Sequence, residues 1–182
     1  MNTHHLILML LNKENGKIDS KTKLQKEIYF ISLLLKRDIE FKAHYYGPYS
    51  IEVETALDEL IGAGFVNVKR DIWGIDTRYG FEAKKYEFFL TNSGEKLAKI
   101  ITDENPNDYE TIEKFVDNLK KIENLNYLTL SIAAKAYFIL SKESKSMTVN
   151  QIIEKASRFG WNINRRDIDI AVNILKELKF IK

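Results

Sequence analysis

Positively charged side chains that could contact phosphate are concentrated in two short segments. In the first, residues 69 to 85, five cations face three carboxylates, with Trp73 and Tyr79 between them. Cations bind phosphate by releasing counterions, and aromatic rings offer surfaces on which bases stack. The candidate nucleic-acid contacts here are Lys69, Arg70, Arg78, Lys84 and Lys85. The alternative interpretation is an ordinary charged surface hairpin.

The second basic cluster surrounds the sequence Phe159-Gly160-Trp161 and comprises Lys155, Arg158, Arg165 and Arg166. Arginines at the start of the second helix of a helix-turn-helix reach phosphates or base edges, and Trp161 would anchor the turn in the core. Residues 106 to 182 carry 13 basic and 10 acidic groups, a difference of only +3. The position of the cluster therefore matters more than its charge, and a solvated turn is the alternative.

The segment from Ser50 to Ala63 has the opposite charge. It contains four carboxylates and no Lys or Arg, so as a recognition helix it would repel DNA. Two interpretations stay open, a solvated acidic face and a docking face for a basic protein partner. The candidate partner-binding residues are Glu52, Glu54, Asp58, Tyr46 and Tyr49.

Residues with the spacing needed for catalysis or metal binding are not evident. The three histidines are His4, His5 and His44, and adjacent positions such as 4 and 5 diverge by about 100° on a helix. We expect His44 to be a half-buried strand residue. The sequence has no glycine-rich phosphate loop and no nucleophile elbow, so we expect no enzyme activity, no metal and no cofactor.

Composition limits the class of protein further. The net charge of +2 gives no global attraction to nucleic acid, so any such site must be local. Cysteine is absent, which fits a reducing compartment. The apolar run from Leu6 to Leu11 is six residues long, too short for a signal peptide or a membrane span. We expect a cytoplasmic protein with no membrane partner.

The first hundred residues predict an ordered series of short elements. Helical spacing of apolar residues predicts helices over residues 6–11, 20–35, 51–63 and 91–101, and alternation predicts strands over 41–45, 65–68 and 86–90. Tyr46 to Tyr49 is expected to turn the chain. The last two strands would form a wing after the third helix, so the fold class is mainly α with a small antiparallel β wing (α+β).

The remaining residues predict a helical second domain. The polar stretch from Asp103 to Asn107 is the best boundary, giving domains at residues 1–103 and 107–182. Helices are expected over 109–122 and 128–140, followed by one capped at Thr148 and one beginning near Asn164. Residues 148–181 would form a second helix-turn-helix, and with Phe180-Ile181 as a truncated strand they would be half of a degenerate winged helix.

Two motifs in the first hundred residues resemble a known family. Thr22-Lys23-Leu24-Gln25-Lys26 and Tyr45-Tyr46-Gly47-Pro48-Tyr49-Ser50, at this separation, are similar to the YwgA-like winged-helix family of bacteria and archaea. They are more loosely similar to the SocA-like, or Panacea, antitoxin domains. The resemblance implies a winged-helix scaffold without catalytic residues or cofactor. For the antitoxin relatives it implies neutralisation of a partner protein by direct binding.

The sequence thus supports two hypotheses of different classes. The first is a winged-helix transcriptional regulator that binds double-stranded DNA as a homodimer, the dimer being suggested by the apolar stripe at 109–122. The second is a protein-binding module, antitoxin-like or an adaptor, that uses the acidic third helix. The DNA sequence, the partner and any effector ligand cannot be derived from the chain.

Overall fold

The computed structural model describes residues 2–76, 81–143 and 146–182, and for residues 72–76 and 81–85 it describes only the backbone. The elements follow the order of a winged helix-turn-helix with further helices behind it. They are α1 (Thr3–Lys13), β1 (Lys17–Ile18), α2 (Lys21–Leu34), β2 (Lys42–His44), β3 (Gly47–Tyr49), α3 (Ile51–Gly62), β4 (Val66–Asp76), β5 (Phe81–Leu90), α4 (Asn92–Glu104), α5 (Pro106–Lys121), α6 (Tyr127–Glu143), α7 (Val149–Arg158) and α8 (Arg165–Glu177). The expected fold class, mainly α with a small antiparallel wing, is confirmed.

The wing sheet is three-stranded, in the order β1, β5, β4, with all pairs antiparallel. Its edge strand β1 is two residues long, with Lys17 opposite Phe89 and Ile18 opposite Phe88. The strand expected over residues 41–45 is confirmed as β2, which lies outside this sheet. Residues 42–44 pair with residues 47–49 in a separate two-stranded hairpin, so part of the expected turn at 46–49 is strand β3.

The ends of the helices follow from local sequence. Asn15 and Gly16 adopt left-handed conformations, with φ of 58° and 77°, and stop α1 as their residue types predict. Ser50 is the N-cap of α3, where its hydroxyl accepts a hydrogen bond from the Val53 amide. Thr148 with Gln151 forms the expected capping box at α7.

The two halves of the chain share one hydrophobic core in the part that the structure describes. Only Asn105 separates α4 from α5, so the expected linker at 103–107 is a junction of two helices. Side chains of the C-terminal half pack directly on α2: the Phe30 ring lies 4.8 Å from Phe180 and 6.1 Å from Phe115. The division into two domains stays a prediction.

The last residues do not complete a second wing. Phe180 and Ile181 follow α8 without strand structure, which corrects the expected truncated strand. Phe180 instead lies between Phe30 and the Tyr137 ring, 4.9 Å away. Its ring gains more by filling the core than by extending a sheet that has no partner strand there.

Helix α5 explains the apolar stripe that suggested a homodimer. Ile112, Phe115, Val116 and Leu119 are all buried within the chain, on the side of α5 that faces α1 and α2. The stripe therefore presents no apolar face to a second copy, and the motive for proposing a dimer is removed.

Candidate nucleic-acid interface

The outer face of α3 is acidic, and three of its four carboxylates have partners in the chain. Glu52 accepts a hydrogen bond from Thr3, and Glu54 is paired with Lys21. Glu59 Oε2 lies 2.5 Å from His4 Nε2. The hydrogen bond from Lys21, then that from Tyr49, keeps the pKa of Glu54 below its usual value. The negative charge of α3 repels phosphate, and its paired carboxylates hold the helix against its neighbours.

Two of the candidate partner-binding residues, Tyr49 and Glu54, are bonded to each other. Tyr49 is half-buried, and burial followed by its hydrogen bond to Glu54 raises the pKa of its phenol. Asp58 and Tyr46 are exposed. His44 is exposed on β2, with its ring centroid 5.0 Å from that of Tyr49, so the expectation of a half-buried His44 is wrong. The structure thus brings Tyr49 and Glu54 together beside an exposed imidazole.

The wing cluster is only partly described. Lys69 Nζ lies 3.2 Å from Asp71, and the Arg70 guanidinium lies 5.8 Å from the Tyr86 ring centroid. Backbone register places Lys84 opposite Ile72 and Lys85 opposite Asp71. Arg78 and Tyr79 lie outside the described residues, as do the side chains of Trp73, Lys84 and Lys85. A phosphate-binding role for the wing stays a prediction.

The basic cluster around α7 and α8 divides into two pairs. Lys155 is paired with Glu143, and Arg158 Nη2 lies 2.7 Å from Glu154 Oε1. These two cations are therefore neutralised within the chain. Arg165 and Arg166 are exposed, and neither has a hydrogen bond or ion pair with any residue that the structure describes. They are the cations that remain available for phosphate.

Arg165 and Arg166 occupy the first two positions of α8. The helix is capped by Asn164, whose side chain accepts from the Asp167 amide while the Asp167 carboxylate accepts from the Asn164 amide. Cations at a helix N-terminus oppose the helix dipole, at a cost of about 0.3–1 kcal/mol each. The two arginines thus lower the stability of the helix that carries them. Their presence is understandable if they bind something else.

The outer face of α8 is more favourable for nucleic acid than that of α3. The residues exposed on it are Arg165, Arg166, Asp169, Asn173, Lys176 and Glu177. Three cations and two carboxylates give it a charge of +1. The exposed face of α3 carries three carboxylates, Glu52, Asp58 and Glu59, and no cation. Helices α6, α7 and α8 pack together. The helix-turn-helix expected at residues 148–181, with α8 as its second helix, stays a prediction.

The hairpin β2–β3 is held by side chains that donate to alternate carbonyls. Here the acceptors are the carbonyls of residues 44, 46, 48 and 50. The donors are Trp161 Nε1 at 2.7 Å, Ser131 Oγ at 2.5 Å, Lys26 Nζ at 2.7 Å and Gln25 Nε2 at 3.0 Å. We call this set the hairpin clamp; its donors come from α2, α6 and the turn before α8.

The clamp gives the two sequence motifs a physical role. Gln25 donates to the Ser50 carbonyl and accepts from the Ser50 amide, both at 3.0 Å, and so holds the first residue of the α3 cap. Lys26 is 1% exposed, and burial, then the charge of Lys135, lowers its pKa to about 7. The Leu-Gln-Lys and Gly-Pro-Tyr-Ser motifs are therefore parts of one contact. The sequence analysis missed it, although polar residues on an apolar helix were a usable signal.

A second buried polar cluster lies where α1 ends beside α2. Both oxygens of Glu27 are buried without a hydrogen bond, and the nearest cation is Lys23, whose Nζ is 3.6 Å away. Lys23 also pairs with Glu14 at 3.0 Å. Burial raises the pKa of Glu27 well above its usual value, and the Glu14 carboxylate adds to this. The protonated carboxyl is the form that the fold favours.

Replacement of Glu27 by Gln is therefore expected to stabilise the protein in a pH-dependent way. Because the pKa is higher in the folded state, wild type loses stability as pH rises above 4.5, the ordinary value, towards the raised pKa. Gln does not ionise, so the variant should gain on the order of 1 kcal/mol at pH 8 and almost nothing at pH 4.5. Urea unfolding at both pH values measures this. An equal difference at the two pH values would contradict it.

Two further kinds of site, for a metal ion and for a small ligand, find no geometric support among the described residues. Among the described residues, no three His, Asp or Glu side chains are grouped so that they could hold a metal ion. A cleft of about 280 Å³ between α1, α3 and α4 is lined mainly by apolar side chains, with His4, His5 and Glu59 at one side. Nothing in the cleft identifies a ligand.

Comparison with known proteins extends the resemblance. The described residues form a mainly α fold with a small antiparallel wing, and two exposed arginines stand at the start of α8. No protein-family model matches the chain. The chain is 26% identical over 178 residues to the uncharacterised protein YwgA of Bacillus subtilis strain 168, and this covers 97% of each chain. The similarity reaches beyond the first hundred residues, to which the motifs had limited it, and includes α5 to α8.

In the described ranges, no helix combines the length and the apolar character needed to cross a bilayer.

Proposed function

We propose that this protein is a non-enzymatic regulator that binds double-stranded DNA through the C-terminal helix-turn-helix, with α8 as the recognition helix. The observation that carries the proposal is the pair of exposed arginines at the start of α8, which have no partner among the described residues. They lie where the second helix of a helix-turn-helix meets a major groove. The positions also cost helix stability, which a purely structural role would not explain.

In the sequence analysis the acidic third helix was expected to repel DNA, and the candidate phosphate contacts were the wing and the basic cluster at residues 155–166. Among these, the proposal selects the start of α8. Helix α3 has an acidic outer face attached to α1 and α2, and the hairpin β2–β3 separates it from α2. Lys155 and Arg158 are paired with carboxylates. Within the proposal, Arg165, Arg166 and Lys176 supply the phosphate contacts, and the wing cations would add to them.

Binding to a mixed-sequence duplex at several salt concentrations tests the proposal. Three phosphate contacts predict that the logarithm of the association constant falls with the logarithm of salt with a slope of about −2.7. Fluorescence anisotropy between 50 and 300 mM salt measures it, since affinity is highest at low salt. Absence of binding at about 50 mM salt would refute the proposal.

Docking of a basic protein, as the antitoxin-like resemblance implied, is the interpretation that would then take its place. It would use the acidic face of α3 with Tyr46 and Tyr49. We place it second because Glu52 and Glu54 already have partners in the chain, and because Tyr49 is bonded to Glu54. The carboxylate of Asp58 is exposed there.

A further inference from the structure

The hairpin clamp connects the winged-helix half with the turn that precedes α8. Trp161 lies in that turn and is 2% exposed. Its indole Nε1 donates to the His44 carbonyl at 2.7 Å, which is a direct hydrogen bond between the turn and the hairpin. The ring packs 5.0 Å from Phe159 and 6.0 Å from Phe138. Trp161 thus fixes the turn on two sides.

This turn then fixes the position of the start of α8. Only three residues, 162 to 164, separate Trp161 from Arg165, and Ile163 among them is 5% exposed. A shift of Trp161 would be transmitted through this short segment, which is anchored by the buried Ile163, to the first helical residues. The side chains of Arg165 and Arg166 have no hydrogen bond or ion pair within the described residues. Their location depends on the backbone of α8 and of the turn that precedes it.

We propose that Trp161 is a positioning residue for the α8 arginines, and that it acts through its hydrogen bond to the hairpin. This inference rests on the proposed function, since positioning matters only if the arginines bind DNA. The hairpin inserted between α2 and α3 is then a support that orients the C-terminal helix-turn-helix. DNA binding then requires the winged-helix half, although α3 makes no contact with DNA.

Trp161→Phe tests the inference, because Phe keeps an aromatic ring and lacks the indole N–H. We expect its affinity for duplex DNA to fall about five-fold, equivalent to one hydrogen bond of about 1 kcal/mol, with the salt slope unchanged because the phosphate contacts remain. Hydrogen exchange should become faster at the amides of residues 164–168. A merely structural role would lower stability without changing affinity at a temperature where the variant is folded.

Ser131→Ala is the matched control, since it removes another bond of the clamp, to the Tyr46 carbonyl, from a residue outside the turn. It should leave DNA affinity and exchange at 164–168 unchanged. If Trp161→Phe keeps the wild-type affinity and the wild-type exchange rates, this inference is overturned and the proposed function is not. Equal weakening in both variants would also overturn it, because it would show general loosening of the hairpin. Failure of the wild-type protein to bind DNA would overturn the proposed function, and this inference with it.

Discussion

Replacement of both Arg165 and Arg166 by Glu is expected to weaken binding to duplex DNA by about 100-fold and to make the protein more stable. The affinity falls because two phosphate contacts become repulsive. The stability rises because anions in the first turn of α8 interact favourably with the helix dipole, whereas cations there interact unfavourably. We expect a gain of roughly 1 kcal/mol after a small loss from repulsion by Asp169. Titration of DNA and urea unfolding of the same sample measure both quantities.

The opposite signs of the two effects make this double substitution informative. A variant that loses binding because it unfolds would be less stable, not more stable. Lys96→Glu with Lys99→Glu on α4 is the matched control, since both lysines are exposed and the change of net charge is the same. The control should weaken binding only slightly. Equal loss of affinity in the two variants would show that net charge, and not α8, determines binding.

Gln25→Leu is expected to lower the free energy of unfolding by about 2 kcal/mol. Leu fits an apolar site of this size, but it cannot accept from the Ser50 amide, which would be left buried without a partner, whereas the Ser50 carbonyl would keep the hydrogen bond from the Glu54 amide. Each unsatisfied buried group costs about 1–3 kcal/mol. The cap of α3 begins at Ser50, so the loss should also loosen the start of that helix. Urea unfolding gives the change in free energy.

The other glutamine of the chain provides the control for this prediction. Gln151→Leu removes an exposed capping-box side chain at α7 and should cost about 0.5–1 kcal/mol. The same chemical change at the two positions thus compares a buried with an exposed partner. If Gln25→Leu costs no more than Gln151→Leu, the clamp is not a principal source of stability.

Local signals predicted most of the fold. Helices with apolar residues at helical spacing and recognisable caps, such as those beginning at Ser50, Thr148 and Asn164, were placed within a few residues. Strand β1 was missed because two residues are too few to show alternation. Its strand character comes from pairing with Phe88 and Phe89, seventy residues away in the chain. The strand at residues 42–44 was predicted, but its partner β3 was assigned to a turn because it contains Gly47 and Pro48.

The candidate site was predicted less completely. The sequence identified the acidic α3 and the basic residues around Trp161, whose burial is confirmed. It could not show that Lys155 is neutralised by Glu143, because that pair joins two helices across a loop. The pair of Arg158 with Glu154 has the i,i+4 spacing of a helical ion pair, a signal that the sequence analysis did not use. For Lys155, availability depends on a tertiary contact that spacing does not encode.

Hydrogen exchange of the wild-type protein with and without duplex DNA tests the central claim most directly. Recognition by α8 predicts protection of the amides at residues 159–169 when DNA is bound, and unchanged exchange along α3. Protection over residues 51–62 with none at the start of α8 would contradict it, and would return the recognition role to the third helix.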